Sequence, residues 1–387
     1  MQRFRNAKFD SRIEPVSGNE VKKVIKNLKP NKAPGYDGVT NCMIRQLPCH
    51  FVNHLVAIYN SALELQHFPT CWKKAEVVTI PKQGKDPKFP QNRRPISLLS
   101  CLGKIYEKIL LERLKKVVFT NNLIPDEQFG FMPGCSTTHQ LTRLMEYVTS
   151  GFERKMTTMA VFLDISKAYD STWHTGLIYK LITMNVPGEL IRVIDSFLAQ
   201  RSFRVKMDGA FSGWRPMLAG VPQGSLLSPL LYNLYTADIP KSIVSELALY
   251  ADDICIYDQT KKPKYAYLSV QHHLNDIGRW ASRSRIKINI NKSNAITFSR
   301  KKSIDVPKLM LDNEHIDYVQ ECRYLGVHLH RRLNWNVHCR AMRTKALGTL
   351  GQLIPLLQSS LPQKSKLLLY KSYVRPQMTY ASRRGGR

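Results

Sequence analysis

Cysteine is scarce in this sequence, and its spacing excludes familiar metal and redox motifs. The eight cysteines of the 387-residue chain stand singly, and no C-x-x-C pair occurs. This spacing argues against a zinc ribbon or a redox dithiol. Reduced, mostly buried thiols in an intracellular protein are the default expectation for such a pattern. The cysteines are at positions 42, 49, 71, 101, 135, 255, 322 and 339.

Long apolar runs are also missing. No run is long enough to span a bilayer, and the N-terminus lacks the pattern of a signal peptide. We therefore expect no membrane partner. The ending Ser-Arg-Arg-Gly-Gly-Arg at 382–387 predicts a truncated or frameshifted terminus more than a domain boundary.

Acidic residues are few relative to basic ones. The chain has 29 Asp and Glu against 58 Lys and Arg, which gives a formal net charge of +29. The excess is spread along the sequence, and with a pI of about 9.9 it favours a polyanionic partner, above all nucleic acid. A merely basic protein is the alternative. With 43% hydrophobic residues, the chain can bury a large core in two or three subdomains.

Two adjacent aspartates interrupt an apolar stretch at residues 247–257. The pattern predicts a tight β-hairpin with Asp252 and Asp253 both at its tip. Two like charges on a buried hairpin repel each other, and desolvation adds to the cost. A divalent cation with oxygen ligands, such as Mg²⁺, would remove that cost. A solvated acidic turn is the alternative, and this stretch alone does not decide between them.

A third carboxylate ends another buried strand. Residues 159–164 form an apolar run that closes on Asp164. If this strand pairs with the hairpin, three carboxylates converge, which is the arrangement that two-metal phosphoryl transfer requires. A triphosphate also needs cations, for which Lys82 and Arg94 on the preceding basic loops are candidates.

The remaining pattern mixes helices with antiparallel strands and predicts an α+β fold, with a sheet backed by helices. Residues 41–67 read as one long amphipathic helix. Residues 286–290 and 295–298 predict a pair of strands, and residues 323–329 predict another strand.

A series of short motifs follows the chain in order, and a chance occurrence of all of them is implausible. They are Lys-Ala-Pro-Gly-Tyr-Asp-Gly at 32–38, Ile-Pro-Lys at 80–82, Arg-Pro-Ile-Ser-Leu at 94–98, Gln-Phe-Gly-Phe at 128–131, Ser-Thr at 136–137, Leu-Asp at 163–164, Lys-Ala-Tyr-Asp at 167–170, Gly-Val-Pro-Gln-Gly-Ser at 220–225, Ser-Pro at 228–229, Tyr-Ala-Asp-Asp at 250–253 and Tyr-Leu-Gly at 324–326. With these motifs, nearly the whole chain resembles the reverse transcriptase domain of non-LTR retrotransposons, close to the jockey-type elements of arthropods.

The resemblance implies a right-hand polymerase with fingers, an antiparallel palm backed by helices, and a partial helical thumb. The implied divisions are an N-terminal extension at 1–70, fingers at 71–157, a palm with finger insertions at 158–330, and a truncated thumb at 331–387. The implied activity is RNA-directed DNA polymerisation, in which dNTPs are added to a DNA primer on an RNA template with two Mg²⁺ ions. A nuclear protein with a cytoplasmic ribonucleoprotein stage is the implied localisation.

The resemblance also implies roles for single residues. Asp164 and Asp252 would bind both metals, Asp253 would act electrostatically or as a weaker ligand, and the Ile165 carbonyl would touch a metal. The residues implied in dNTP binding are Lys82 and Arg94 on the triphosphate, Tyr169 as a gate against the 2′-hydroxyl, Gln223 and Gly224 beside the nucleotide and template, and Lys292 as the group that protonates pyrophosphate. The implied primer grip is Tyr324, Leu325 and Gly326.

Two positions depart from the family pattern. Met132 stands where the family often has Arg, and Arg93 replaces a common aromatic residue. Either change could weaken the grip on the template. Two alternatives to an active polymerase follow: a truncated, inactive nucleic-acid-binding remnant without an endonuclease, and a reverse transcriptase resembling intron maturases.

Overall fold

The computed structural model describes residues 13–82, 84, 86–301 and 304–381, and the predicted truncation at 382–387 lies outside them. Helices and sheets are mixed, which confirms the α+β class. None of the described helices is both long and apolar enough to cross a membrane. The helices are α1 (Gly18–Lys26), α2 (Asn41–Arg45), α3 (Cys49–Glu64), α4 (Cys101–Thr120), α5 (Thr137–Glu153), α6 (His174–Thr183), α7 (Gly188–Leu198), α8 (Ser228–Tyr235), α9 (Pro263–Arg283), α10 (Asn336–Gln358), α11 (Gln363–Leu369) and α12 (Arg375–Met378).

The strands are short and most pair in an antiparallel sense. They are β1 (Lys74–Pro81), β2 (Arg93–Leu98), β3 (Thr157–Asp164), β4 (Arg201–Met207), β5 (Ala210–Phe211), β6 (Arg215–Met217), β7 (Glu246–Tyr250), β8 (Asp253–Thr260), β9 (Asn294–Phe298), β10 (Leu309–Leu311), β11 (Glu314–Ile316), β12 (Glu321–Tyr324) and β13 (Val327–His330).

The chain divides into two compact units, each built from separate stretches of sequence. The predicted division into extension, fingers, palm and thumb stays a prediction, because these units are defined by packing alone. The first unit comprises Met1–Pro125, Ser166–Asp238 and Arg283–Ile286, and the second comprises Asp126–Ile165, Ile239–Ser282 and Lys287–Arg387.

The first unit holds a sheet with the order β2-β1-β4-β5, and β6 pairs with the same strand β4. β1 is antiparallel to β2 and parallel to β4. An aromatic cluster forms part of its core: Tyr59 of α3 stacks on Tyr106 of α4 with ring centroids 5.5 Å apart, and Phe68 lies 5.1 Å from Phe197 of α7. Burial of such rings is a major source of core stability.

The predicted single helix over residues 41–67 is wrong. The structure has two helices there, because Pro48 stands between α2 and α3 in an extended conformation, with ψ of 156° at the α3 N-cap. Proline supplies no backbone N–H and disfavours helical geometry in the residue before it. The amphipathic spacing continued across the break, so periodicity alone did not reveal it.

The second unit is organised around β3. Its sheet has the order β7-β8-β3-β9 with antiparallel pairing throughout. One face of this sheet, including Ala160 and Phe162 of β3, packs into a core with residues of α5 and of the β12–β13 hairpin. β3 is buried along its length up to its last residue, Asp164. The fold therefore places a carboxylate at the end of the most enclosed strand.

Two strand predictions need correction in the second unit. Residues 286–290 do not form a strand beside β9; instead Ile288 makes a single bridge with Ile165, and β9 completes the edge of β3. The predicted strand 323–329 is a hairpin. Leu325 and Gly326 both have positive φ, at 45° and 84°, which is the geometry of a two-residue turn.

Candidate active site

The end of β3 and the hairpin formed by β7 and β8 bring two carboxylates together. Asp164 and Asp253 are direct partners in the antiparallel register of β3 and β8. Directly opposed residues point to the same face of a sheet, with Cβ atoms about 5 Å apart. The pairing of strand and hairpin expected from the sequence is therefore present.

The hairpin itself is tighter than the sequence pattern indicated. Tyr250 and Asp253 form its last pair, so only Ala251 and Asp252 make the turn. The prediction that both aspartates stand at the tip is wrong for Asp253, which is the first residue of β8. Because Ala251 adopts φ of +56°, the turn residue before Asp252 is in the left-handed region.

The surroundings of Asp253 raise the pKa of its carboxyl. Asp253 is an exposed residue, but desolvation by the surrounding protein is still the largest influence on the pKa of its carboxyl. That desolvation, with the charges of Asp252 and Asp164, raises the pKa of Asp253 to about 6. The site thus has an excess of negative charge, which a divalent cation would offset.

Metal-free protein should gain stability when Asp253 is replaced by Asn. The folded-state pKa of Asp253 lies above the unfolded value of 3.8. The stabilisation that the protonated carboxyl provides is therefore complete only below about pH 4 and is lost as the pH rises through about 6. At pH 8 in EDTA we expect Asp253→Asn to raise the free energy of unfolding by about 1 kcal/mol, a value kept small by solvent screening.

Urea denaturation at pH 5 and pH 8 measures this effect. The gain should be smaller at pH 5, and exchange of the exposed Asp317 for Asn should change neither value. A variant at position 253 that is no more stable than the wild type at pH 8 would contradict the charge excess.

A short segment after α9 brackets the end of β3. The backbone N–H of Asp164 donates to Ser293 Oγ at 3.2 Å, and the N–H of Asn289 donates to the Asp164 carbonyl at 2.8 Å. These bonds bring Lys292 to the site, with its Nζ 3.5 Å from Asp164 Oδ2 and its side chain 60% exposed. The structure therefore places the predicted Lys292 at the carboxylates, and Ile165 beside it in the bridge to Ile288.

The predicted primer-grip residues lie in the hairpin that covers the same face of the sheet. Tyr324 is 3% exposed and its ring lies 4.8 Å from that of Phe162, two residues before Asp164. Its side chain therefore belongs to the core. Leu325 and Gly326 form the half-buried turn, and the hydroxyl of Tyr380 donates to the Leu325 carbonyl at 2.9 Å.

Two of the predicted phosphate-binding residues lie at one end of the β1–β2 pair in the first unit. The backbone N–H of Lys82 donates to the Asn92 carbonyl at 2.7 Å, and its Nζ donates to the Gln91 carbonyl at 2.9 Å. Arg94 is exposed on β2, opposite Ile80. Lys82 and Arg94 thus lie at the same end of the β1–β2 pair.

The loop before α8 connects the other predicted nucleotide-binding residues in the first unit. Val221 N–H donates to the Tyr169 carbonyl, and Ser97 N–H donates to the Gln223 carbonyl, both at 2.7 Å. Gly224 has φ of +131°, and a Cβ there would lie 2.5 Å from the Ser97 carbonyl oxygen. The close approach that this glycine allows is therefore to β2, the strand that carries the predicted phosphate-binding arginine.

Comparison with known proteins decides the family. The family model described as "Reverse transcriptase (RNA-dependent DNA polymerase)" matches residues 80–329. The chain belongs to the reverse transcriptase family. The resemblance predicted from the motifs is confirmed.

The relatives of this chain come from mobile elements. It is 36% identical to the RNA-directed DNA polymerase from mobile element jockey of Drosophila melanogaster, over 95% of this chain and 41% of that protein. It is 35% identical to the probable RNA-directed DNA polymerase from transposon BS of the same organism, over 95% and 42%. The chain thus spans about two fifths of the length of these curated relatives.

A solved structure gives a weaker likeness. Apo telomerase from Candida tropicalis, truncated from its C-terminal domain, matches this chain with a TM-score of 0.46 and 12% identity, over 75% of this chain and 60% of that one. That likeness is too distant to bear on fold or function.

The sequence analysis missed one residue that supports the predicted nucleotide-binding loop. Glu107 of α4 is fully buried and accepts hydrogen bonds from Ser225 Oγ and from Leu226 N–H, both at 2.7 Å. Burial raises the pKa of Glu107, while these bonds and the buried Arg201 oppose that effect. Glu107 therefore anchors the loop that carries Gln223 and Gly224. The available signal was a carboxylate at an apolar position of an amphipathic helix.

The first unit also contains a basic cavity of about 850 Å³. Its lining includes Gly224 at one side and residues of α1, α4 and the loop after α1. Glu20 and Glu112 also line it, but five lysines leave a net positive charge suited to a phosphate backbone. They are Lys23, Lys29, Lys32, Lys104 and Lys108.

The carboxylates suit a hard divalent cation whose remaining ligands are water and substrate oxygens. Among the described residues, no group of three or more His, Cys, Asp or Glu side chains is already arranged as a closed metal cage. Mg²⁺ is commonly held by one or two carboxylates together with water and substrate phosphates, so a closed cage is not required. The opposed pair Asp164 and Asp253, with Asp252 beside it, supplies the oxygen donors and charge for such an open site.

Proposed function

We propose that this chain is an RNA-directed DNA polymerase that adds dNTPs to the 3′-hydroxyl of a DNA primer on an RNA template. The observation that carries the proposal is the pairing of Asp164 with Asp253, with Asp252 in the adjoining turn. Membership of the reverse transcriptase family supports it. A nuclear localisation with a cytoplasmic ribonucleoprotein stage remains a proposal that rests on the resemblance.

In this proposal Asp164 and Asp252 hold two Mg²⁺ ions, and the Ile165 carbonyl is a further oxygen donor. Bound there, the ions would activate the primer hydroxyl and stabilise the leaving pyrophosphate. Asp253 acts as a weaker ligand or through its charge. Its raised pKa supports this role, because a carboxyl that is costly to ionise alone becomes favourable to ionise beside a cation.

Residues of the first unit bind the incoming nucleotide in this proposal. Lys82 and Arg94 hold the triphosphate, for which their charge and their shared location at the end of β1 and β2 are the support. Tyr169 contacts the sugar and excludes a 2′-hydroxyl. Gln223 and Gly224 contact the nucleotide and the template.

Lys292 and the hairpin turn are the other proposed functional residues of the second unit. Lys292 is a proton donor to pyrophosphate, which its 3.5 Å separation from Asp164 and its exposed side chain support. Leu325 and Gly326 contact the primer through their half-buried turn, while Tyr324 anchors the turn in the core.

Primer extension tests the proposed function. The chain is given an RNA template, an annealed DNA primer, dNTPs and Mg²⁺, and we expect template-directed extension that EDTA abolishes. Absence of incorporation at every divalent-metal concentration, by protein that is folded and binds the RNA, would contradict the proposal.

A nucleic-acid-binding remnant is the second candidate, and the lysine-lined cavity is the observation that favours it. RNA binding at this cavity is compatible with both candidates, and primer extension separates them. Exchange of Lys29 and Lys32 for Gln should reduce the salt dependence of RNA affinity, with the slope of log K against log[salt] falling by about 1.4, since each phosphate contact on a single strand contributes about 0.7.

Fluorescence anisotropy with single-stranded RNA between 50 and 200 mM salt, roughly the range over which such contacts are lost, measures this slope. Exchange of Lys22 and Lys26 for Gln is the matched control, because both are exposed residues of α1 outside the cavity lining. Equal slopes for the two double variants would rule out the cavity as the binding surface.

A further inference from the structure

The turn of the aspartate hairpin is held in an unfavourable backbone conformation. Ala251 is 8% exposed and adopts φ of +56°. For a residue with a Cβ this conformation costs about 1–2 kcal/mol relative to the right-handed region. Such a residue persists only where its surroundings hold it, and these places are often functional sites. The contacts that hold Ala251 therefore decide where the next residue, Asp252, is placed.

A single buried amide makes those contacts. The side-chain Oε1 of Gln128 accepts a hydrogen bond from the N–H of Ala251 at 2.8 Å and another from the N–H of Gly130 at 2.8 Å. Its Nε2 lies 3.5 Å from the Ala251 carbonyl oxygen. Gln128 is 3% exposed, so water does not readily replace these bonds.

The backbone around Gln128 is fixed to the same hairpin. Leu249 N–H donates to the Glu127 carbonyl at 3.0 Å, and Phe129 N–H donates to the Leu249 carbonyl at 2.9 Å. From α5, the amide of Gln140 donates to the Leu249 carbonyl at 3.3 Å. Residues 127–129 thus pair in parallel with β7. Beyond the end of that strand, the Gln128 side chain makes the next hydrogen bond, to the turn residue Ala251.

Gly130 leaves the space that this arrangement needs. A Cβ at Gly130 would lie 2.2 Å from the Ala251 nitrogen and 2.9 Å from Gln128 Oε1. No side chain fits there without displacing the turn. The Gln-x-Gly spacing in this chain therefore supplies an acceptor and, two residues later, a gap for the backbone of Ala251.

We infer that Gln128 is a positioning residue for the metal-binding carboxylates: its amide holds Ala251 and thereby sets the location of Asp252 relative to Asp164. The metal part of this inference rests on the proposed function. A misplacement of about 1 Å of a catalytic group can cost on the order of 100-fold in rate. Loss of the Gln128 acceptor frees the turn to relax towards ordinary φ values and moves the Asp252 carboxylate away from the shared site.

Exchange of Gln128 for Met tests the inference, because Met has a similar length but a weak acceptor. The probe is Mn²⁺ alone, titrated by electron paramagnetic resonance into the full chain without nucleotide. We expect Gln128→Met to weaken Mn²⁺ binding by 10-fold or more. In primer extension we expect kcat to fall by on the order of 100-fold while KM for dNTP changes little.

Gln271→Met is the matched control. Gln271 also makes two bonds to another segment's backbone in the second unit, accepting from Met310 N–H and donating to the Met310 carbonyl, both at 2.8 Å. It should leave Mn²⁺ affinity unchanged. Equal Mn²⁺ affinity in Gln128→Met and the wild type, or an equal loss in both Met variants, would overturn the inference.

Two further measurements keep the test decisive. Gln128→Glu retains the acceptor oxygen, so it should fold and keep its Mn²⁺ affinity even where Gln128→Met unfolds. Loss of affinity in folded Gln128→Glu would overturn the inference.

Hydrogen exchange at the Ala251 amide tests the contact without a metal. If the wild type binds no Mn²⁺, the proposed metal site fails, and the exchange rate still decides the contact: faster exchange in Gln128→Met supports it, and an unchanged rate overturns it.

Discussion

Exchange of Asp252 for Asn should abolish primer extension, with a loss on the order of 10³-fold or more in kcat. Asn keeps the size of the side chain but removes the charge that binds a divalent cation. Because Asp252 stands in a two-residue turn, the loss arises without any change in the strands on either side. Single-nucleotide incorporation on an RNA template measures it.

Matched measurements separate this loss from unfolding. Asp252→Asn should bind RNA as the wild type does and melt at the same or a higher temperature. Asp312→Asn, in the exposed turn between β10 and β11 of the same unit, should incorporate nucleotide normally. Equal incorporation by Asp252→Asn and the wild type would exclude the proposed mechanism.

Exchange of Tyr169 for Ala should weaken the discrimination against ribonucleotides by on the order of 100-fold. The ring of Tyr169 stacks on Tyr232 with centroids 5.0 Å apart and planes 22° from parallel, so its position is well defined. Removing the ring opens space for the 2′-hydroxyl that distinguishes a ribonucleotide. The ratio of kcat/KM for dNTP and rNTP with the same base measures the change.

Tyr169→Phe is the control for this prediction, since it keeps the ring and its stacking partner. It should discriminate as the wild type does. If Tyr169→Ala incorporates dNTP at an appreciable rate and still rejects rNTP as strongly as Tyr169→Phe, Tyr169 is a core aromatic residue and not the gate.

Local patterns were sufficient to predict the centre of the second unit. Eight consecutive residues of β3 end on Asp164, and the apolar flanks of residues 252–253 turn back on themselves, so both elements follow from their own sequence. The pairing of β3 with β8 then followed from both being buried strands, each with a carboxylate at one end. The α+β class followed from the same patterns.

Contacts between distant parts of the chain could not be predicted in this way. Gln128 and Ala251 are separated by 123 residues, and Glu107 and Ser225 by 118. A buried Gln or Glu has no periodic signature, because its role depends on which backbone groups the fold leaves beside it. The motif around Gln128 identified the family but did not reveal that its amide supports the hairpin turn.

The errors in secondary structure have the same origin. Residues 286–290 alternate as a strand does, but the edge of β3 is taken by β9, so Ile288 makes only one bridge. Two neighbouring runs can both suit a strand, and only tertiary pairing selects one. The break at Pro48 is the opposite case. The proline itself was a local signal for the end of a helix, but the helical spacing of the residues around it favoured one continuous helix.

Anomalous scattering from Mn²⁺ tests the central claim most directly. Crystals of the chain with an RNA template, a 3′-deoxy-terminated DNA primer and a matching dNTP should show two Mn²⁺ peaks about 3.5–4 Å apart, in contact with Asp164 and Asp252. Peaks that are absent from these carboxylates, in crystals where the nucleotide is clearly bound, would contradict the account.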